Sequence, residues 1–468
     1  MKAFSKASSI LRLFKEAILG SEQNFTEGNI NRAIFLLSVP MILEMSMEAL
    51  FAVVDVFYVS RLNDNDALAA VTLTESMLTL IYSIAIGLSM GVTALVARRV
   101  GEKDIPAASV AAVQSLYIGV GISLVISVGG LIFAKDLLAL MGASPSIIQN
   151  CSGYTQWMLG GNLTIMLLFL INAIFRGAGD ASLALRALVI SNGLNIVLDP
   201  IFIFGFGPIP AFGVEGAAIA TNIGRGLGVL YQIYHLWKGK GLIKVHVENF
   251  MLQTKVMANL IRISVGGTLQ FLIGSASWIF LVRIISTFGS EALAGYSIAI
   301  RVIIFTILPS WGMANASATL VGQNLGAGQP ERAEQSVWKT GFFNMIFLVG
   351  VMIIFLLFAR PILEFFTRDE KVIEVGIECL RVIALGYVFY GYGMVIAQSF
   401  NGAGDTRTPT LLNFFGFWCF QIPLAYALAI TFEFGPTGVY AAISIAESAI
   451  AIAGILIFRQ GKWKGVKI

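Results

Sequence analysis

Twelve stretches of this chain stay apolar all round for about twenty residues or more, and no other feature limits the possible folds as strongly. They run over 33–59, 67–96, 109–134, 151–175, 183–204, 214–237, 257–287, 292–319, 337–359, 372–400, 409–431 and 437–458. A helix rising ~1.5 Å per residue needs about 20 such residues to cross the hydrocarbon of a bilayer. Strands of a membrane barrel would instead alternate apolar and polar positions over about ten residues. The expected fold class is therefore an all-α polytopic membrane protein with twelve transmembrane helices. Composition agrees: 57% of the 468 residues are hydrophobic and 12% are charged, half the ~25% of an ordinary soluble domain. That shortage excludes a soluble enzyme, a disordered scaffold and a nucleic-acid binder.

The net charge of +4 is a topology signal rather than a sign of an anionic partner. Counting Lys and Arg between the spans puts twenty on one side, from Lys2 through Arg98, Arg99, Lys240 and Arg332 to Lys467. Five fall on the other: Arg61, Lys135, Arg360, Arg368 and Lys371. The basic side is read as cytoplasmic, so both termini lie inside and the protein is expected as a multi-pass component of the plasma membrane. Residues 1–32 carry no cleavable-signal pattern. Within them, the stretch from Ile10 to Leu19 reads either as an amphipathic surface helix or as a solvated tail. Cys151, Cys379 and Cys419 have no metal-binding spacing and are expected as buried apolar thiols.

The chain repeats itself. Phe175-Arg-Gly-Ala-Gly-Asp180 recurs as Phe400-Asn-Gly-Ala-Gly-Asp405, Ala67-Leu-Ala-Ala as Ala292-Leu-Ala-Gly, and Val100-Gly101 as Leu325-Gly326. All three pairs share one offset, that between Phe175 and Phe400. Six spans per repeat make the repeats parallel, related by an axis along the membrane normal. The expected organisation is a cytoplasmic segment over 1–32, an N-lobe over 33–238, a linker over 239–256, a C-lobe over 257–458 and a tail over 459–468. Two such lobes suggest a carrier with its route between them.

On these residues the chain resembles the multidrug and toxic compound extrusion (MATE) family. The markers are Thr26-Glu-Gly-Asn leading to Val39-Pro40, Val54-Asp55 with Val59-Ser60-Arg61-Leu62, Arg176-Gly-Ala-Gly-Asp180, and Asn195 with Asp199-Pro200. Gly213-Val-Glu-Gly-Ala-Ala218 with Thr221, and Asn401-Gly-Ala-Gly-Asp405-Thr-Arg-Thr-Pro409, complete the set. Each is weak alone, but their order and spacing are specific. The resemblance implies twelve spans in two lobes and export of organic, often cationic, compounds in exchange for sodium ions or protons. It also implies a cation site of Asp55, Asn195, Asp199 and Thr221, with Pro40 as a bending point of the first span.

The residues themselves support such a site, because acids inside a membrane are costly and usually mark a pathway. Asp199 follows Asn195 by four residues and shares its helix face. Two carboxylates, an amide oxygen and a hydroxyl offer hard ligands to sodium, with Asp55 and Asp199 as the metal ligands in that case. Without a metal, the same carboxylates suit a proton. No resident cofactor is expected.

Other intramembrane polar residues leave alternatives open. Glu44, Glu48, Phe51 and Asp55 fall on one stripe of the first helix, which could line a cavity for lipophilic cations or, for Glu44 and Glu48, meet cytoplasmic water. Gln270, Trp278, Asn315 and Tyr387 are candidate cavity residues in the second lobe. Glu75 and Arg301 sit at nearly equivalent repeat positions, as a gate across the cleft or as separately paired groups. Arg225 needs a partner, and a bridge to Asp55 or Asp199 would favour proton coupling by charge exchange. In the C-lobe, Leu281, Phe420 and Leu424 stand opposite Asp55, Asn195 and Asp199, while Glu374 and Glu378 with Arg381 read as a coupling site or a helix-end ion pair. The expected partners are small organic substrates and the lipid bilayer, with the protein acting as a monomer. The alternatives to antiport are a flippase for lipid-linked precursors, whose anionic headgroups would call for a basic cavity, and a membrane-embedded enzyme, for which no catalytic motif is present.

Overall fold

Each apolar run becomes a helix, and short polar residues set where many of them begin. Asn29, Asp64 and Asp104 each accept a bond from a backbone N–H in the first turn of the helix that follows, which satisfies donors that have no partner within the helix. The structure is a computed structural model that describes every residue except residue 1, residues 21–24, residue 63 and residue 240, and omits the side chains of residues 2–10. Lys240, one of the basic residues counted for topology, lies outside the described residues.

The N-terminal stretch forms a helix, α1 (Lys2–Leu19). The first half continues with α2 (Ile30–Ser60), α3 (Asn65–Gly101), α4 (Ile105–Leu140), α5 (Pro145–Asn150), α6 (Ser152–Gly160), α7 (Asn162–Ala178), α8 (Ala181–Phe204) and α9 (Val214–Lys238). The second half follows with α10 (Thr254–Ser286), α11 (Ser290–Gly326), α12 (Pro330–Glu364), α13 (Glu370–Ala384), α14 (Tyr387–Ala403), α15 (Arg407–Asn413), α16 (Ile422–Tyr426) and α17 (Pro436–Arg459). Among the described residues there is no strand, only an isolated bridge between Phe206 and Ile209. Among the described residues, ten helical segments are long and apolar enough to cross a membrane. Of the other two of the twelve, the tenth is divided into two short helices, α13 of 15 residues and α14 of 17, and α9 is less apolar, with Glu215, Arg225 and Lys238 among its residues.

Among the described residues, four spans depart from the continuous helices expected from hydropathy, the ninth by a kink at Phe358 in α12. The fourth breaks at Gly161 between α6 and α7, and the tenth breaks at Gly386 between α13 and α14, two positions that the repeat superimposes. In the eleventh span, Phe414–Gln421 and Ala427–Thr431 are π-helical on either side of α16. Apolar composition is the same for every helical form, so hydropathy could not reveal this. Such wide turns are rare and concentrate at functional sites. Cys151 and Cys379 are buried as expected, whereas Cys419, in the first π-helical segment, is exposed.

The repeat extends to the turns. Gly179 and Gly404 end α7 and α14 with φ of 91° and 87°, a left-handed conformation that costs glycine little. Asp180 and Asp405 then accept from the backbone N–H of Leu183 and Thr408.

The two lobes are sewn together at the end that carries the termini. Thr319 and Gln323 of α11 donate to the carbonyls of Arg176 (3.0 Å) and Gly177 (3.0 Å), and Arg98 of α3 reaches the carbonyls of Ala403 (3.2 Å) and Val466 (3.3 Å). Two glycines let α3 and α11 touch backbone to backbone. A Cβ on Gly101 would lie 2.0 Å from the Gln323 carbonyl oxygen, and one on Gly326 would lie 2.1 Å from that of Arg98. Each contact is the repeat counterpart of the other. Further apolar contact joins Ile34, Leu37 and Met41 of α2 to Ala316 and Leu320 of α11. Each lobe also has its own core, such as the cluster around Leu281, Tyr296, Phe355 and Tyr440 in the C-lobe.

Candidate functional site

Within the N-lobe, α8 and α9 pack together and α2 crosses them, with Asn192 of α8 donating to the Met47 carbonyl of α2 (3.2 Å). This brings Asn195, Asp199 and Thr221 into one buried cluster. The Asn195 amide donates to Asp199 Oδ1 (3.2 Å) and to Thr221 Oγ1 (3.1 Å). Asp55 of α2 faces the cluster closely enough for its charge to act on Asp199, without direct contact. All four side chains are buried, Asp199 completely. Asp55 Oδ1, Asp199 Oδ2 and the Asn195 side-chain oxygen have no hydrogen-bond partner among the described residues. Three buried oxygens without donors are costly, and they are the groups that would take a small cation or a proton. The set is all oxygen, which suits a hard cation.

Arg225 does not bridge to either aspartate. Its Nη2 donates to the Tyr82 hydroxyl (2.9 Å), and its guanidinium lies over the rings of Phe51 (5.2 Å) and Tyr82 (5.9 Å). The two aspartates therefore keep their charge free of a direct cationic partner, and Phe51 serves Arg225 rather than a cavity wall.

Glu44 likewise lies off the cavity wall, which corrects the expectation from its place on the acidic stripe. Its Oε1 accepts from Arg176 (2.9 Å) and Asn172 (3.1 Å), and only 2% of it is exposed. Arg176 supplies the countercharge that makes such burial tolerable, and it could be found in sequence only by knowing that side chains of α7 reach Glu44 of α2. Glu75 and Arg301 are exposed and form no ion pair with each other in this conformation. Glu374 and Glu378 are exposed near the start of α13, where Glu378 accepts from Thr437 (2.6 Å) and neither pairs with Arg381. Pro40 lies inside α2, which continues unbroken through it, although the proline removes one backbone donor.

Between the lobes lies a cavity of about 310 Å³, whose wall includes Glu48, Tyr82, Arg176, Trp311, Asn315 and Gln398. It adjoins a larger chamber of about 590 Å³ inside the C-lobe, lined by Gln270, Trp278 and Tyr387 among others. Trp311 and Gln398 belong to both walls. Of the expected cavity residues, Glu48 and Asn315 thus line the central space, while Gln270, Trp278 and Tyr387 line the C-lobe chamber. Sequence reading missed Glu447 of α17, which also lines that chamber.

Twelve helices in two pseudo-symmetric lobes around shared cavities define a multi-pass membrane protein of the carrier class, not an enzyme. The MatE family profile matches residues 40–201 and 268–427, and the chain belongs to that family of transporters. The multidrug export protein MepA of Staphylococcus aureus (strain MSSA476) is 23% identical, over 92% of this chain and 94% of its own length. The solved outward-facing structure of a multidrug resistance MATE transporter of the MOP superfamily is 30% identical, with a TM-score of 0.88 over 93% of this chain and 96% of that one. A MOP superfamily transporter from Pyrococcus furiosus Vc1, whose binding pocket has reverse polarity suggesting a different function, is 29% identical. Its TM-score is 0.88 over 95% of this chain and 98% of that one.

Proposed function

We propose that this protein is a secondary active antiporter of the plasma membrane, exporting organic, often cationic, compounds in exchange for sodium ions or protons by alternating access. The N-lobe cluster carries this reading. Asp55, Asn195, Asp199 and Thr221 hold three unpartnered oxygens in a place apart from the large cavities, as a coupling site needs if ion and cargo are to bind separately. With both termini cytoplasmic, the lobes are sealed on the inside and the central cavity belongs to an outward-facing state. Glu75 and Arg301 form no ion pair in that state but are near enough for the charge of Arg301 to act on Glu75, and Pro40 gives α2 a place to bend as the lobes exchange positions.

A flippase for anionic lipid-linked precursors is the second reading. It draws on Arg176 in the central wall and on the reverse-polarity relative. Against it, the Arg176 charge is already matched by Glu44, and Glu48 shares the same wall.

Transport in proteoliposomes under separately imposed sodium and proton gradients tests the proposal. Wild-type protein is expected to move a cationic dye under one of the two gradients. Asp55→Asn is expected to insert and fold normally yet lose gradient-driven transport. Unimpaired efflux by that variant would overturn the coupling role of Asp55.

A further inference from the structure

The C-lobe chamber contains a carboxylate that none of the roles above uses. Glu447 of α17 faces this space and a smaller adjoining one of about 150 Å³. Among the described residues it accepts no hydrogen bond, forms no ion pair, and has no cationic side chain near enough to offset its charge. An acid at that depth costs several kcal/mol unless something compensates it.

Its position in the repeat explains the missing partner. A shorter loop before the last span gives that span a smaller offset than the rest of the repeat. Gly213 and Gly435 precede α9 and α17 with φ of 57° and 61°, and Gly239 and Gly461 follow them at the same spacing. On that register Glu447 is the counterpart of Arg225. The N-lobe arginine donates through Nη2 to the Tyr82 hydroxyl, while its Nη1 has no partner among the described residues. The counterpart of Tyr82 at the main offset is Ile307, an apolar residue of the chamber wall. Among the described residues, the same pseudo-symmetric position thus holds a cation bonded to a tyrosine in one lobe and an anion with no bonded partner in the other.

The surroundings of Glu447 are built for an apolar body with one positive charge. Trp278, Trp311, Tyr387, Tyr390 and Phe417 contribute rings to the wall. Gln270, with 8% of its surface exposed, also lines the chamber, and its Oε1 has no partner. Phe417 sits in the π-helical Phe414–Gln421 segment, which Trp418 fixes by donating to the Ile273 carbonyl (3.1 Å). A volume of about 590 Å³ falls within the roughly 300–1,000 Å³ range of sites for drug-sized ligands.

We propose that this chamber binds monovalent lipophilic organic cations, with the Glu447 carboxylate as their countercharge and the surrounding rings as an apolar, cation–π lining. The proposal rests on the export reading and deepens it by placing cargo in the C-lobe, away from the N-lobe coupling cluster. Cargo and coupling ion then occupy different sites and need not compete for one carboxylate.

Equilibrium binding of tetraphenylphosphonium, with tetraphenylborate as its anionic isostere, tests this on the full-length protein in detergent. Wild-type protein is expected to bind the cation and discriminate against the anion. Glu447→Gln should weaken cation binding by about tenfold or more and reduce the discrimination, whereas Glu248→Gln, at an exposed acid outside both cavities, should change it by less than about threefold. Gln270→Leu, which keeps the carboxylate, gives a second probe and should weaken binding by about threefold. Wild-type affinity in both chamber variants, or equal losses in Glu447→Gln and Glu248→Gln, would overturn the proposal. Gradient-driven phosphonium export that is normal in Glu447→Gln would overturn the chamber alone. A wild-type protein that neither binds nor exports the cation would overturn the export reading as well.

Discussion

The two lobes share a backbone plan and differ in where they keep charge. The N-lobe pairs or clusters its buried polar groups: Glu44 with Arg176, Arg225 with Tyr82, and Asp199 with Asn195 and Thr221. At the matching positions the C-lobe has Gln270 and Asn401 for the ion pair, Ile307 for the tyrosine, and Leu281, Phe420 and Leu424 for the aspartates and asparagine. Among the described residues its deeply placed acid is Glu447, which opens onto the larger of the two cavities. Duplication supplies a symmetric scaffold, and the side chains set on it give its halves different charge.

Exchanging the acid between lobes is the strongest way to break that comparison. Asp55→Asn should reduce ion-driven transport to background, and adding Leu281→Asp to it should not restore transport. Leu281 lies in the apolar core around Tyr296 and Phe355, and Phe420 and Leu424 stand where the N-lobe has Asn195 and Asp199. Rescue by the double variant in the proteoliposome assay would mean that the lobes are functionally interchangeable.

Next in size is the ion pair. Removing one member of a buried pair leaves the other unpaired, typically at a cost of about 3–5 kcal/mol. Arg176→Gln should therefore lower the thermal midpoint of the purified protein strongly, and Glu44→Gln together with Arg176→Gln should recover much of the loss. The neutral counterpart Asn401→Ala should cost only about 1 kcal/mol. Equal losses for Arg176→Gln and Asn401→Ala would show that the charge difference between the lobes has no energetic weight.

The sequence made this architecture readable because spans, repeat and charge bias are properties of residue type and spacing. Asn195 and Asp199 were legible for the same reason, being one helical turn apart. The partnerships of Glu44 and Arg225 were not, since each joins helices whose packing no local pattern encodes. Glu447 was hidden differently. The main repeat offset aligns Arg225 with Ile450, and only the glycines flanking α9 and α17 reveal the shorter register that aligns it with the acid.

The seam tests symmetry where the lobes should agree. An added methyl at Gly101 or Gly326 would meet a carbonyl at 2.0 or 2.1 Å, so each alanine variant should destabilise the sealed conformation by about 1–3 kcal/mol, as overpacking does. The two should act alike, because each glycine packs on the counterpart of the other's partner. Crosslinking between cysteines placed on α3 and α11 would report the loss of the seal, and effects of very different size would break the pseudo-symmetry at this point.

The smallest expected effect concerns a turn. Lys103 holds φ of 62° after α3, and its counterpart after α11 is Gly328 at 70°. A side chain in that left-handed region carries a conformational cost, while glycine gives back part of the advantage through its freer unfolded chain. Lys103→Gly should therefore stabilise the protein by only about 0.5 kcal/mol, the balance of those two opposing terms. Gly328→Lys should destabilise it by a similar amount. Opposite signs in matched thermal melts are the expected result. A destabilised Lys103→Gly would show that the Lys103 side chain makes a contribution there beyond the backbone geometry the two turns share.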